Sequence, residues 1–157
     1  MKKLSLSLMV ILLAFLFACS SDNSTNNTND GTLIIGTVQG SVDGKTWKSQ
    51  QGMATKIGSE LFQISAATVL GSSESIALVF PNMAVGTHGN AVCTFSIMNL
   101  SDPLNTISYT NTNVTYTITA SSETEISGSF SCTTTNTKNS SQTKKLENIK
   151  FRCKFVN

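Results

Sequence analysis

Charge and reactive side chains are scarce in this 157-residue chain: Asp, Glu, Lys and Arg make up 13% of it, with one histidine, one tryptophan and two prolines. A globular chain usually carries about a quarter charged residues, so Ser, Thr and Asn must supply most of the polar surface here. A zinc centre takes three or four ligands; one histidine and scattered cysteines, with no C-x-x-C pair, do not provide them. No metal and no cofactor are expected. Nucleophilic catalysis needs a base within reach of the nucleophile, but His88 sits between turn-formers in "GTHGN" and reads as an exposed loop residue. There is no G-x-S-x-G, so the many serines read as surface. Glu123 and Glu125 lie two residues apart beside a turn and read as solvated rather than as a glycosidase pair. No Gly-rich phosphate loop runs from a strand into a helix. No catalytic residue is assigned, and an enzyme is not expected.

Helical periodicity is also missing. Beyond the first 18 residues apolar side chains nowhere recur at i, i+3, i+4 and i+7, and no second long hydrophobic run occurs. The first run is distinctive. Lys2 and Lys3 precede an apolar stretch from Leu4 to Ala18. As a helix it would reach roughly 22 Å, short of a bilayer core about 30 Å thick, and its flanks match a secretory signal. Leu16-Phe17-Ala18-Cys19 resembles the bacterial lipobox. That resemblance implies a diacylglyceryl group on the Cys19 sulfur, cleavage before Cys19 and acylation of the new amino group. Two or three acyl chains anchor a protein stably where one does not, so the membrane is an expected partner through lipid on Cys19.

Residues 19–31 then form a polar tether, with nothing apolar to bury in "NSTNNTND". Its span is about 20 Å. Ser20 stands where Asp would signal inner-membrane retention in the best-known sorting system, a likeness that points to the outer membrane. Asp22 is a lone candidate for an acidic surface-export signal, so periplasmic face and cell surface both stay open. The chain thus divides into a leader (1–18), a lipidated cysteine with tether (19–31) and one domain (32–157).

Loss of the leader removes two lysines and leaves nine cationic against nine acidic residues. No net field would draw the mature protein to nucleic acid, which is not expected as a partner. The charge is nevertheless segregated. Lys138, Lys144, Lys145, Lys150, Arg152 and Lys154 against Glu147 make the last twenty residues net +5. With Phe151, Cys153 and Phe155 facing inward, Lys150, Arg152 and Lys154 form an outward basic stripe. It suits protection of a sheet edge against aggregation before it suits an unidentified protein or an acidic glycan.

The domain reads as strands. "VDGKTW" places Asp43-Gly44 between two β-favouring runs, a hairpin signal that pairs Val42 with Lys45 and Gly40 with Trp47. Trp47 is read as core. Further strands are expected at Met53–Ile57, Leu61–Ala67, Ser75–Phe80, Ala91–Met98, Thr106–Tyr109, Val114–Ala120, Glu125–Thr135 and Leu146–Val156. Thr115, Thr117 and Thr119 make a threonine ladder on the wet side of one strand, set against Thr133 and Thr135. Short strands with Gly, Asn and Ser turns predict an all-β domain, an antiparallel β-sandwich or partly open β-barrel of about 8–10 strands.

Three cysteines remain after lipidation, so one pair and one free thiol is the expectation for an exported chain. A hairpin around "NTKNSSQTKK" that sets Phe130 opposite Phe155 also sets Cys132 opposite Cys153, within disulfide reach. Cys132–Cys153 is therefore the expected bond, worth roughly 3 kcal/mol, with Cys93 a buried thiol beside Phe95. Cys93–Cys132 is the alternative.

"VDGKTWKS", "NMAVGTHGN", "ISGSFSC" and "NIKFRCKF" together resemble an uncharacterised β-rich family of small Bacteroidota lipoproteins. Ile126, Ser127, Gly128 and Phe130 match its I-S-G-x-F strand, while Lys150 replaces a glycine of its last strand. The resemblance implies a fold and an address, with no activity to carry over. The expected function is that of an outer-membrane lipoprotein serving as a non-enzymatic binding or interaction module. The alternative is a lipocalin-like carrier of a small apolar ligand, which would need a hollow barrel.

Overall fold

The computed structural model describes residues 33–68, 72–99 and 101–156; the expected leader, Cys19 and the tether lie outside the described residues. Nine antiparallel strands form one sheet: β1 (Thr37–Val42), β2 (Lys45–Lys48), β3 (Gln51–Ile57), β4 (Leu61–Ala67), β5 (Ser72–Phe80), β6 (Gly86–Asn99), β7 (Asp102–Ser121), β8 (Glu125–Asn136) and β9 (Thr143–Lys154). Their order is β2-β1-β9-β8-β7-β6-β5-β4-β3. The sheet curls into a half-barrel, so of the two expected all-β architectures the barrel is the one that forms.

The curl follows from the two edges. β2 and β3 lie at opposite ends of the sheet, yet only Ser49 and Gln50 separate them in the chain. At that point the chain changes partner. The Ser49 amide donates to the Val38 carbonyl (2.8 Å), continuing the β1–β2 pairing, and the Gln50 amide donates to Ala67 at the end of β4 (3.1 Å). The Ser49 hydroxyl accepts from the Val38 amide (2.9 Å) and stays buried. β3 is then met by both chain termini of the domain: Gly52 donates to the Gly36 carbonyl (2.7 Å) and Val156 donates to the Ala54 carbonyl (2.9 Å). Backbone groups of an edge strand that would otherwise template aggregation are thereby paired.

Period-2 alternation supplies the interior. Phe80, Phe95, Tyr116 and Phe151 are fully buried inside the curl with Ile64, Leu78, Ile118 and Leu146. Phe62 lies at its margin, as does Phe155, expected to face inward, and both are partly buried. Asp43 and Gly44 adopt positive φ (50° and 76°), and the hairpin pairs Val42 with Lys45 and Gly40 with Trp47 as the sequence predicts. Trp47 is buried. Thr106–Tyr109 and Val114–Ala120 are parts of one long strand, β7, which bulges at Thr112–Asn113 rather than turning.

The β8–β9 register corrects the expected disulfide. Phe130 lies opposite Ile149, Cys132 opposite Leu146 and Cys153 opposite Ile126, so Cys132 and Cys153 are not paired and both are free thiols. The cause is loop length. Thr143, Lys144 and Lys145 belong to β9, and the turn is closed early by Asn136, whose amide donates to Gln142 O (2.9 Å) and whose Oδ1 accepts from the amides of Lys138 (2.8 Å) and Asn139 (3.2 Å).

Gly128 of β8 marks the tightest crossing. A Cβ there would lie 2.3 Å from the Thr117 carbonyl and 2.6 Å from the Phe151 ring, whereas one on Gly89 would meet open space. Gly128→Ala should therefore destabilise the fold by about 1–3 kcal/mol, read as a lower urea midpoint, while Gly89→Ala should stay within about 0.5 kcal/mol of the parent.

Candidate functional site

Register turns the polar composition into a surface. Cross-strand partners line up Thr87 of β6, Thr117 of β7, Ser129 of β8, Lys150 of β9, Gln39 of β1 and Lys48 of β2 on the outer face. The adjoining inward row is His88, Tyr116, Phe130 and Ile149. Thr117 thus faces Ser129 rather than Thr133, and Thr135 faces Thr110. The hydroxyls of Thr87 and Thr117 share a hydrogen bond of 3.0 Å.

A depression of about 350 Å³ opens on this face, lined by Thr115, Thr117, Ser129, Ser131, Asn148 and Lys150. It lies where the β8–β9 ladder slips between Phe130 and Cys132. Asn148 takes a positive φ (51°) there and donates its amide to the Ser131 hydroxyl (2.9 Å). The bulge lets both Leu146 and Ile149 point inward, which strict alternation would forbid. Hydroxyls, one side-chain amide and one ammonium can together donate to and accept from a polar, oxygen-rich ligand, with Lys150 suited to a carboxylate.

The expected basic stripe is only partly free. Arg152 is ion-paired with Glu125 and also donates to the Leu33 carbonyl (3.2 Å), so it ties the start of the domain to β8. Lys145 pairs with Glu147 (2.7 Å) and Lys144 with Asp43 (2.7 Å). Lys150 and Lys154 are exposed and carry no ion pair among the described residues. Three of the six cations at the end of the chain, Lys144, Lys145 and Arg152, are thus paired, and Lys150 is the unpaired cation that faces the depression.

His88 departs from expectation. It belongs to β6, is half-buried, and its ring stacks 5.5 Å from that of Tyr116. Its Nε2 bonds to the Ala84 carbonyl (2.8 Å), and the Tyr116 hydroxyl donates to the Asn82 carbonyl (2.9 Å). Both side chains thus pin the Pro81–Val85 connection. Burial pushes the Tyr116 phenol up from its usual pKa, against the opposing bond with Asn82. That connection walls a second, mixed depression of about 500 Å³, where Phe62, Pro81, Met83 and Val85 are joined by Asn82 and Ser121. Sequence reasoning missed it, because nothing in "PNMAVG" says which aromatic it will meet. No group of three or more His, Cys, Asp or Glu side chains suited to a metal occurs among the described residues.

Asp43 joins hairpin to sheet. It accepts from Lys144 Nζ (2.7 Å) and the Lys145 amide (2.9 Å), and these bonds hold its carboxyl below the usual pKa. A depressed folded pKa gives stability that is present above the unfolded value near 3.8 and is lost as pH falls through the folded value. Asp43→Asn should remove that share of the acid-side loss, making the urea midpoint less steep with pH below about pH 4 than in the parent. Equal steepness in both proteins would show that Asp43 does not contribute to it.

No curated protein and no solved structure matches the chain. The sheet just described, from the turn before β1 to Arg152 of β9, coincides with a recognised sequence family: over residues 35–152 the chain belongs to the family described as Domain of unknown function (DUF6252).

Proposed function

We propose that this protein is a lipid-anchored lipoprotein of the bacterial outer membrane, of Bacteroidota type, whose β-domain is a non-enzymatic binding module. The observation that carries the reading is the outer-face depression with unpaired Lys150 at its rim, on a sheet whose inner face is filled by side chains. A filled interior leaves the exterior as the place to bind. Hydroxyls of Thr115, Thr117, Ser129 and Ser131 with the Asn148 amide suit a polyhydroxylated ligand, and Lys150 adds preference for an acidic one, so the ligand class is an acidic glycan. The anchor rests on Leu16-Phe17-Ala18-Cys19 and the polar tether behind it.

A second reading, a carrier of a small apolar ligand, draws on the depression between Phe62 and Val85. Native mass spectrometry of the protein purified from an exporting bacterium separates the two: a retained small molecule favours the carrier, and the bare chain mass the outer-face module.

Two measurements test the main reading. Labelled palmitate should enter the parent protein in membranes of an exporting bacterium and should be absent from Cys19→Ser; label retained in that variant would rule out the anchor. Binding to polygalacturonate should weaken about tenfold or more in Lys150→Glu, since a charge-assisted hydrogen bond contributes roughly 1.5–3 kcal/mol, and should fall with salt. Lys154→Glu should weaken binding less. Equal losses in the two variants would mean that general charge, and not the depression, holds the polysaccharide.

A further inference from the structure

A disulfide joins neighbouring Cys residues only where the fold brings them together, and β6 and β8 are not neighbours: β7 runs between them. At one level, however, β7 leaves the sheet. Its ladder with β8 is interrupted between Thr110–Thr135 and Tyr116–Phe130, and its ladder with β6 slips on either side of Ala91–Val114. Thr112 and Asn113 are exposed and have no register partner on either neighbouring strand. Asn111 holds the excursion in place, accepting from the Asn113 amide (2.8 Å) and donating through Nδ2 to the Thr133 carbonyl of β8 (2.9 Å). Beneath it β6 and β8 come into contact. Cys93 is the β6 residue paired with Asn111, Cys132 directly precedes Thr133, and the two thiols share a hydrogen bond.

We propose that Cys93 and Cys132 form a disulfide on exposure to a disulfide oxidant, stapling β6 to β8 beneath the β7 bulge. The order of events follows from accessibility. Cys93 is fully buried, whereas Cys132 is half-exposed. The shared hydrogen bond lowers the Cys132 thiol from its usual pKa and, with burial, raises that of Cys93, so Cys132 is the nucleophile. Its thiolate attacks one sulfur of the oxidant, R–S–S–R, giving a mixed disulfide and one R–S⁻. Cys93 then loses its proton and attacks Cys132 Sγ, expelling the second R–S⁻. Two protein thiols are oxidised by two electrons and one oxidant disulfide is reduced to two thiols. Cys153 is left out: it lies opposite Ile126, packs against Gly52, and burial pushes its thiol up to about 12.

This inference is independent of the ligand proposal. The full chain carrying Cys19→Ser, which retains three thiols, is treated with oxidised glutathione, alkylated in denaturant and cut at Lys, Arg and Glu. The expected product is one cross-link joining the fragments Ser75–Glu123 and Ile126–Lys138, with Cys153 recovered alkylated. Its Tm should exceed that of the reduced protein by roughly 10 °C, since the bond closes a loop of about 40 residues. Added Cys132→Ala and, separately, Cys93→Ala should abolish the gain, and Cys153→Ala should keep it. Cross-linking through Cys153, or three alkylated thiols after oxidation, would overturn the proposal.

Discussion

The change of hydrogen-bonding partner at Ser49–Gln50 is the constraint on which the rest of the structure depends. An open nine-stranded antiparallel sheet has two edges, and each is a row of unpaired amides and carbonyls. Here the two edge strands are successive segments of one chain, so the sheet must curl until its ends meet. Ser49 holds one side of the junction, its amide and hydroxyl both satisfying Val38, and Gln50 joins the other side at Ala67. Once the curl is set, every strand acquires an inside and an outside. The apolar half of each alternation goes inward, and the Ser, Thr and Asn half is presented to solvent.

The departures from regular pairing then matter more than the pairing. The β9 bulge at Asn148 opens the outer depression and aims Lys150 along its rim. The β7 bulge at Thr112–Asn113 lets β6 and β8 touch and sets Cys93 against Cys132. Bulges insert a residue without breaking the sheet, so they re-aim a few side chains on a rigid frame. Both bulges are held by Asn, one through positive φ and one through side-chain bonds to the backbone. These are the residues that tolerate such conformations at least cost.

Electrostatics adds restraint rather than drive. The +5 carried by the last twenty residues meets acidic groups elsewhere in the fold: Asp43 of the first hairpin takes Lys144, and Glu125 at the start of β8 takes Arg152. The first pair ties the first hairpin turn to β9, and the second ties β8 to β9. Exposed pairs of this kind stabilise little singly, but they fix which cations remain available, and that selection leaves Lys150 beside the hydroxyl-lined face.

Sequence by itself determined the strand class, the Asp43–Gly44 hairpin and its register, the burial of Trp47 and the segregation of charge. These depend on periodicity, turn chemistry and composition, which are local. It misplaced the β8–β9 register, because Thr143, Lys144 and Lys145 are as polar as the loop before them and an outward strand position tolerates them equally. It took His88 for a free loop residue, since only the fold supplies Tyr116 as its stacking partner. Tertiary structure alone decided barrel over sandwich, the neutralisation of Arg152, the outer depression and the Cys93–Cys132 contact. Each of these is a long-range pairing, fixed by where bulges shift the ladder, and a one-residue shift in register leaves almost no trace in the alternation from which strands are read.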